Sequence, residues 1–303
     1  MDAPIKHHYV PQFLLRNFAG SKEELIVHRV DHDRSFPAKV LKTGHRNDGH
    51  TLYGPGYDGG KDRSTLETMM SALEGETNLV IDELVATKTT EVSPEQKEVL
   101  RWFAGLQIAR SRFLFGYILR SNEYDLDAKD MANDEIQTSL LSAGPLSHLV
   151  AWEKSKDPHS HYKDRFTPFG SGLMAFRWDV VRFREPSLVI SDNFVSQSGI
   201  RVENRNDYTH VQKNWAKHGM GVPRSQSARV TMALTPTLGL HLHRGATRRT
   251  LKADAFNRDT IYSAKEFVAH APGWESSKPH LSESMVENLS VQRMLRAVMA
   301  KSF

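Results

Sequence analysis

Cysteine is the one standard residue that the 303-residue chain lacks altogether. Without it the chain can form no disulfide bond, no zinc site built on thiolates and no cysteine nucleophile. Long apolar runs are missing too, since no stretch approaches the roughly 18 residues of a membrane helix. The first residues also lack the apolar stretch of a signal peptide. We therefore expect a cytoplasmic protein with no membrane partner.

The sequence motifs of several common enzyme classes are absent as well. There is no phosphate-binding Gly-Lys-Ser/Thr loop, no dinucleotide-binding glycine fingerprint, no Gly-x-Ser-x-Gly elbow and no His-Glu-x-x-His helix. These absences disfavour ATPases, the usual dehydrogenases, serine hydrolases and the common zinc peptidases.

Neither sign of charge dominates the chain. The chain contains 40 Lys and Arg residues and 36 acidic residues, which gives a formal charge of +4. This excess is smaller than in most dedicated DNA-binding domains. The 15 histidines add positive charge as the pH falls toward their usual pKa of about 6.5. The balance permits a nucleic-acid partner without demanding one.

The hydrophobic periodicity predicts an α+β protein. Strand-like segments at residues 25–30 and 38–41 predict an N-terminal hairpin, helical patterns fill the central region, and further β strands follow residue 168. The chain ends in an amphipathic helix over residues 283–299. We expect a single domain over residues 1–303, with a helical insert at about 64–143 as the alternative organisation.

Three local patterns make sharper predictions. Ser64 and Glu67 have the spacing of a capping box, which predicts a helix that runs to about Ala86. Residues 173–181 and 187–191 have the character of two paired strands. A further helix is expected over residues 127–141.

The segment KHHYVPQFLLRNFA at residues 6–19 resembles the signature of a widespread, mostly bacterial family that is catalogued only as a domain of unknown function. The helix with Leu66-Glu67 and Leu73-Glu74 is similar to the two-glutamate helix of that family. FAGLQIAR at residues 103–110 and VISDN at residues 189–193 resemble two more of its motifs, although Phe194 stands where the family usually has proline. The resemblance indicates which residues to consider, and it implies no particular activity.

The adjacent histidines His7 and His8 are the first candidates for catalysis. In an extended segment neighbouring side chains point to opposite faces, so only one of the two is expected to face a given pocket. A neutral imidazole there can act as a general base or bind a metal ion. The alternative is that both rings only fasten the N-terminal segment to the body by hydrogen bonds and packing.

Asp192 and Asn193 follow a segment with the character of a buried strand. Catalytic side chains gather in loops at strand ends, where a rigid sheet positions them. Asp192 can bind a divalent metal or orient a histidine, and Asn193 can hydrogen-bond a substrate. The alternative is an Asx turn, in which both side chains satisfy nearby backbone amides.

Four polar residues on the predicted central helices are the remaining candidates. Glu67 and Glu74 are seven residues apart on one helix face, which separates them by about 10 Å along the axis. Arg110, three residues after Gln107, can hold a phosphate or carboxylate through two hydrogen bonds. Alternatively, Arg110 is a buried structural partner of Glu74 that ties two helices together.

Two further histidine pairs, His159 with His161 and His241 with His243, have a spacing seen in metal sites. We expect both pairs on exposed strand faces. The basic stretch at residues 244–252 is a candidate phosphate-contacting loop.

Together these candidates favour a metal-assisted hydrolase that acts on nucleic acid, in the manner of a nuclease. The residues expected to be catalytic are His7, His8, Asp192 and Asn193. Gln107 and Arg110 are expected to bind substrate, and a divalent metal ion is expected on His8, Asp192 and Glu74. One competing interpretation is a non-catalytic sensor module that binds a ligand or a partner protein. Another treats the N-terminal segment as purely architectural.

Overall fold

A computed structural model describes residues 6–110, 138, 141–157, 171–217, 226–245, 247 and 250–300. The chain divides into two compact units. The first unit contains Met1–Pro11, Gly44–Asp82 and Pro94–Met174, and the second contains Gln12–Thr43, Glu83–Ser93 and Ala175–Phe303. The expected organisation, a single domain with a possible helical insert at about 64–143, stays a prediction.

The α-helices of the described residues are α1 (Gln12–Asn17), α2 (Thr65–Ala86), α3 (Pro94–Ala109), α4 (Ser147–Ser155), α5 (His210–Lys217), α6 (Ala253–Ser263), α7 (Trp274–Ser277) and α8 (Pro279–Ala300). Short 3-10 turns cover Val40–Lys42, Asp58–Gly60, Ser171–Leu173 and Val202–Asp207, and a π turn covers Ser142–Leu146.

The strands of the described residues are β1 (Lys6–His8), β2 (Glu24–Arg29), β3 (Ser35–Lys39), β4 (His45–Asn47), β5 (Leu52–Tyr53), β6 (Lys61–Asp62), β7 (Arg177–Arg182), β8 (Ile190–Ser191), β9 (Val195–Ile200), β10 (Ser227–Thr235), β11 (Leu238–His243) and β12 (Phe267–His270).

The start of α2 is capped differently from the expected capping box. The backbone amides of Ser64 and Thr65 both donate to the carboxylate of Asp62, at 2.9 and 3.0 Å. An acidic side chain at this position satisfies amides that have no partner inside the helix. The prediction that Glu67 caps the helix is therefore wrong, and the Glu67 side chain is available for another contact.

In the first unit two antiparallel strand pairs, β1 with β4 and β5 with β6, accompany the helices. The apolar core of this unit includes Leu73 of α2, Trp102 of α3 and Trp152 of α4. His148 of α4 is fully buried, and its Nε2 donates to the carbonyl of Trp102 at 2.8 Å. Burial lowers the pKa of His148 to about 4, so this ring is neutral at pH 7.

The second unit contains two four-stranded sheets, with strand orders β7-β11-β10-β9 and β3-β2-β12-β8. Their pairings are antiparallel, and they include the predicted hairpin of β2 with β3. The buried side of α8 includes Met285 and Leu289. Gln292, one turn further along α8, donates to the carbonyl of Ala264 at 2.7 Å. This hydrogen bond fixes α8 against the end of α6.

The predicted α+β class is confirmed: N-terminal strands, central helices, further strands and a C-terminal helix follow in that order. The predicted pairing of residues 173–181 with 187–191 is wrong. β7 pairs with β11, whereas β8 pairs with β12 in the other sheet. The helix expected over residues 127–141 lies outside the described residues, apart from Thr138 and Leu141.

The histidine pair on β11 differs from its prediction. His241 and His243 are both buried, so the expectation of an exposed strand face is wrong for them. His243 donates through Nε2 to the buried carboxylate of Asp179 at 2.7 Å. His159 and His161, like Arg248 and Arg249 of the basic stretch, lie outside the described residues.

None of the helices in the described part of the chain is both long enough and apolar enough to cross a membrane.

The neutral burial of His148 predicts that acid destabilises the protein. An unfolded histidine takes up its proton near pH 6.5, whereas folded His148 does so only near pH 4. Because the unfolded state binds more protons between these values, the free energy of unfolding falls as the pH falls through this window. The slope is at most about 1.4 kcal/mol per pH unit for this residue. Urea unfolding across the window measures it.

His148→Gln is the matched variant for this measurement. The amide keeps an N–H for the Trp102 carbonyl and cannot titrate. We expect a shallower pH dependence in the variant than in the parent protein. Equal slopes would contradict a low pKa for His148.

Candidate functional site

Strand pairing holds His7 in the interior of the first unit. β1 runs antiparallel to β4 with His7 opposite Arg46, and the His7 side chain is fully buried whereas His8 is partly exposed. Adjacent side chains of a strand differ in this way because they point to opposite faces. Nδ1 of His7 accepts the backbone N–H of His50 at 2.8 Å. The neutral His7 ring therefore carries its proton on Nε2.

His50 is a residue that the sequence analysis did not identify. It lies in the loop between β4 and β5, where Asp48 has a positive φ of 52°. The Asp48 carboxylate accepts hydrogen bonds from Arg63 Nε at 2.6 Å and from Thr51 Oγ1 at 3.1 Å, which fix this loop. As a result the ring of His50 lies parallel to that of His7, with 5.6 Å between their centroids and 3° between their planes.

Glu67 joins the two histidines from the first turn of α2. Its Oε1 accepts a hydrogen bond from Nδ1–H of His50 at 2.6 Å, so Nε2 of the neutral ring carries no proton. Burial lowers the pKa of His50, against the opposing effect of Glu67. Burial alone would raise the pKa of Glu67, but the hydrogen bond from His50 and nearby positive charge lower it. At pH 7 the pair is a neutral imidazole beside an ionised carboxylate.

A second polar group lies beside this pair and contains Glu74, Gln107 and Arg110. Arg110 donates through Nη1 to Glu74 Oε1 at 2.9 Å and through Nε to Gln107 Oε1 at 3.0 Å. Burial raises the pKa of Glu74, and the Arg110 charge only partly offsets this. Arg110 thus links the end of α3 to α2, as the structural alternative for this residue expected.

Two donors of this second group have no acceptor among the described residues. They are Nη2 of Arg110 and Nε2 of Gln107, and both atoms are buried. A buried donor without an acceptor costs about 1–3 kcal/mol. Such donors are where a bound ligand with acceptor oxygens is expected.

His7, His50 and Glu67 are also spaced as possible metal ligands. Each offers one ligand atom, and these atoms all lie within 4.8 Å of one another. Two imidazoles and a carboxylate are a common donor set for zinc and related divalent ions. The Arg110 charge acts on His50 and Glu67 as well as on Glu74. The metal-ligand group and the free donors therefore belong to one site.

Of the residues predicted from the sequence, His7, Glu74, Gln107 and Arg110 thus lie together in the first unit. His8 borders the same site: its ring meets His45 edge-on at 5.5 Å between centroids, and its carbonyl accepts a long 3.5 Å hydrogen bond from Arg110 Nη1.

Asp192 and Asn193 lie in the second unit and bind its backbone. Oδ1 of Asp192 accepts the backbone N–H groups of Lys265, Glu266 and Phe267 at 2.9, 3.0 and 3.2 Å. Asn193 donates through Nδ2 to the carbonyl of Ser263 at 3.0 Å. Burial raises the pKa of Asp192, although the three backbone hydrogen bonds oppose this. Both side chains thus bind backbone groups, as the alternative expected, but on a segment 70 to 75 residues further along the chain, so these contacts are not a local Asx turn.

The expected metal ligands are divided between the two units, with His8 and Glu74 in the first and Asp192 in the second, so this ligand set stays a prediction. Across the described residues, two sets of three possible ligands have their atoms within 4.8 Å of one another, and neither contains any of these residues. Two of the expected ligands have other partners within their own units, since Glu74 faces Arg110 and Asp192 faces three backbone amides. The set that does form in the first unit uses His7, His50 and Glu67.

Asp192 is predicted to matter for stability. Asp192→Ala leaves three part-buried backbone amides without their acceptor, so we expect the free energy of unfolding to fall by about 2 kcal/mol. Asp192→Asn keeps one acceptor oxygen and should lose less than half as much. Urea unfolding of both variants measures the difference. An Asp192→Ala protein of full stability would contradict this structural role.

The chain belongs to the family described as "Protein of unknown function (DUF4238)", whose model matches residues 6–273. No curated protein and no solved structure gives a significant match to the chain.

Proposed function

Because membership of a family of unknown function assigns no activity, we propose one from the chemistry of the first unit: a divalent-metal-assisted hydrolase that cleaves phosphodiester bonds in nucleic acid. The observation that carries the proposal is a pair of buried donors, Arg110 Nη2 and Gln107 Nε2, beside the group of His7, His50 and Glu67. Neither donor has an acceptor in the part of the chain that the structure describes.

The two free donors suit a phosphodiester. Such a group presents two non-bridging oxygens, and a guanidinium binds an oxyanion with directed hydrogen bonds. Glu74 and Gln107 already hold Nη1 and Nε of Arg110, so the guanidinium plane is fixed and Nη2 points in one direction. Fixed donors of this kind stabilise negative charge that grows on the phosphate oxygens in the transition state.

The charge of the site supports a cation as cofactor. Two carboxylates, Glu67 and Glu74, outnumber the single guanidinium of Arg110, and a neutral His50 adds no charge. An anionic substrate would be repelled by this balance. A divalent ion would reverse the sign and attract a phosphodiester.

His7, His50 and Glu67 are the residues that would hold this ion. Nε2 of His50 and the carboxylate of Glu67 can accept the ion as they stand. The His7 ring would bind it through Nδ1 in place of the backbone N–H of His50, because its other nitrogen carries the ring proton. When bound, such an ion lowers the pKa of a bound water and so supplies a nucleophile near neutral pH.

Glu74 is the group proposed to accept a proton from the attacking water. Burial raises its pKa, and a carboxylate whose pKa is raised toward neutrality is a better base than an exposed one. Glu74 also holds Arg110, so it positions the phosphate-binding donor. This role replaces the metal-ligand role expected from the sequence.

The test is cleavage of labelled single-stranded DNA, double-stranded DNA and RNA by the full chain. The protein is first treated with EDTA and then assayed with magnesium, manganese or zinc. We expect cleavage that requires an added ion. Arg110→Lys keeps the charge and removes Nη2, and it should lower the rate by about a hundredfold or more. Glu67→Gln should abolish the response to the ion.

Glu76→Gln is the matched control for these variants. Glu76 lies on α2 two residues from Glu74, is about two-fifths exposed and pairs with Lys156. The Glu76→Gln protein should cleave at the rate of the parent protein. No cleavage of any of the three nucleic acids with any of the ions would overturn the proposal. If Arg110-dependent binding of inorganic phosphate then persists, the competing function is correct and the chain is a binding module.

A further inference from the structure

A second group of two histidines and a glutamate lies in the second unit. His28 is on β2 and His270 ends β12, and these strands pair antiparallel with Val268 opposite His28. His270 is two residues beyond that position, so both rings project from one face of the sheet. Gly273, with a φ of 80°, turns the chain into α7 and brings Glu275 back to the same place.

Three potential ligand atoms converge there. Nε2 of His28 is 2.9 Å from Nε2 of His270. Oε1 of Glu275 is 3.3 Å from Nε2 of His28 and 3.5 Å from Nε2 of His270. The two histidine side chains are at most 9% exposed, whereas that of Glu275 is 45% exposed. The group is therefore buried on the histidine side and open on the glutamate side.

The neutral rings have only one hydrogen to share among these three contacts. Nδ1 of His270 is 2.8 Å from the carbonyl oxygen of Ala271, which can only accept, so Nδ1 carries the proton of the neutral ring. Nε2 of His270 is then a bare lone pair. Nε2 of His28, Nε2 of His270 and Oε1 of Glu275 all face one another. The one hydrogen among them is then on Nε2 of His28. The lone pairs of His270 and Glu275 repel each other unless a cation lies between them.

The spacing matches the ligand shell of a small divalent ion. Zinc binds histidine nitrogen and carboxylate oxygen at about 2.0–2.1 Å, and a tetrahedron of such bonds has edges of about 3.3 Å. The observed separations of 2.9, 3.3 and 3.5 Å lie around this value. One ion can therefore contact all three atoms with little movement of the side chains.

We propose that His28, His270 and Glu275 form a binding site for a divalent transition-metal ion of the zinc class, with one coordination position left open. The inference does not depend on the function proposed for the first unit. Three protein ligands leave the fourth tetrahedral position for water, which is the arrangement of catalytic rather than structural zinc sites.

A cleft beside these side chains leaves room for a water molecule or another ligand at the fourth coordination position. His28 and Glu275 line a cleft of about 220 Å³, together with Asp33, Arg34 and Arg293 among others. The backbone acceptor at Ala271 orients the His270 ring, as the acceptors around known metal ligands do. Burial lowers the pKa of His28 to about 4, so protons do not compete for this ring at pH 7.

The test is a titration of the EDTA-treated full chain with cobalt(II), whose visible absorption reports tetrahedral coordination, followed by competition with zinc. We expect saturable binding at this site, with loss of the cobalt spectrum when zinc is added. Glu275→Gln removes one ligand from a half-exposed position and should weaken binding by at least about a hundredfold. Thermal unfolding in EDTA confirms that the variant is folded.

Two control variants separate this site from other sources of binding. Asp33→Asn makes the same change of charge at the cleft, and Asp33 is almost fully exposed and pairs only with Arg293 among the described residues. It should bind cobalt as the parent does. Glu67→Gln alters only the first unit and should keep the cobalt equivalent that Glu275→Gln loses.

Two results would overturn the inference. One is a parent protein that shows no tetrahedral cobalt spectrum, because the three side chains would then be only a hydrogen-bonded group. The other is a Glu275→Gln protein that binds cobalt as tightly as the parent does. Should Glu275→Gln fail to fold, the fluorescence of Trp274 supplies the readout, since its ring lies 4.8 Å from that of His270. Cobalt must then quench the tryptophan fluorescence of the parent protein more than that of the Trp274→Phe variant.

Discussion

The constraint on which both candidate sites depend is the burial of imidazole rings in their neutral form. A buried ring is tolerated when its N–H has an acceptor and its other nitrogen is also accounted for. His148 donates to a backbone carbonyl, His50 to Glu67 and His270 to a backbone carbonyl. Each of these contacts selects one tautomer, and the tautomer decides which nitrogen is left with a lone pair.

This selection makes structural and functional histidines differ in a simple way. The donated hydrogen bond of His148 only joins α4 to α3. The other two rings each lie in a group that also contains a second histidine and a glutamate. For His270 the nitrogen without a proton, Nε2, is the atom that faces this group. The hydrogen bond that allows a neutral imidazole to be buried also leaves its other nitrogen with a lone pair. Where a carboxylate lies nearby, that nitrogen can bind a cation.

Much of the fold could be predicted from local sequence. The hairpin of β2 with β3 and the end of α2 at Ala86 were both predicted from nearby residues. The pairing of β8 could not be predicted, because β8 contains only Ile190 and Ser191 and finds its partner, β12, far along the chain. Short strands carry too little pattern to indicate which sheet they join.

The candidate site was predictable to a similar extent. The helical spacing brings Glu67 and Glu74 to one face, and the same polar pattern indicated Arg110 as a possible partner of Glu74. His50 escaped detection because its position depends on Asp48, Arg63 and the backbone contact to His7, none of which is a periodic signal. Asp192 looked catalytic because a strand-end aspartate has the same sequence signature whether it meets a metal or three backbone amides.

The most direct test of the neutral-imidazole account is a measurement of the ring nitrogens by NMR on protein labelled with nitrogen-15 at histidine, at pH 7 in EDTA. The account predicts that His50 and His270 are neutral with the proton on Nδ1, and that addition of zinc shifts the Nε2 resonance of His270. Protonation of either ring at both nitrogens, or a neutral ring with its proton on Nε2 in either residue, would contradict it.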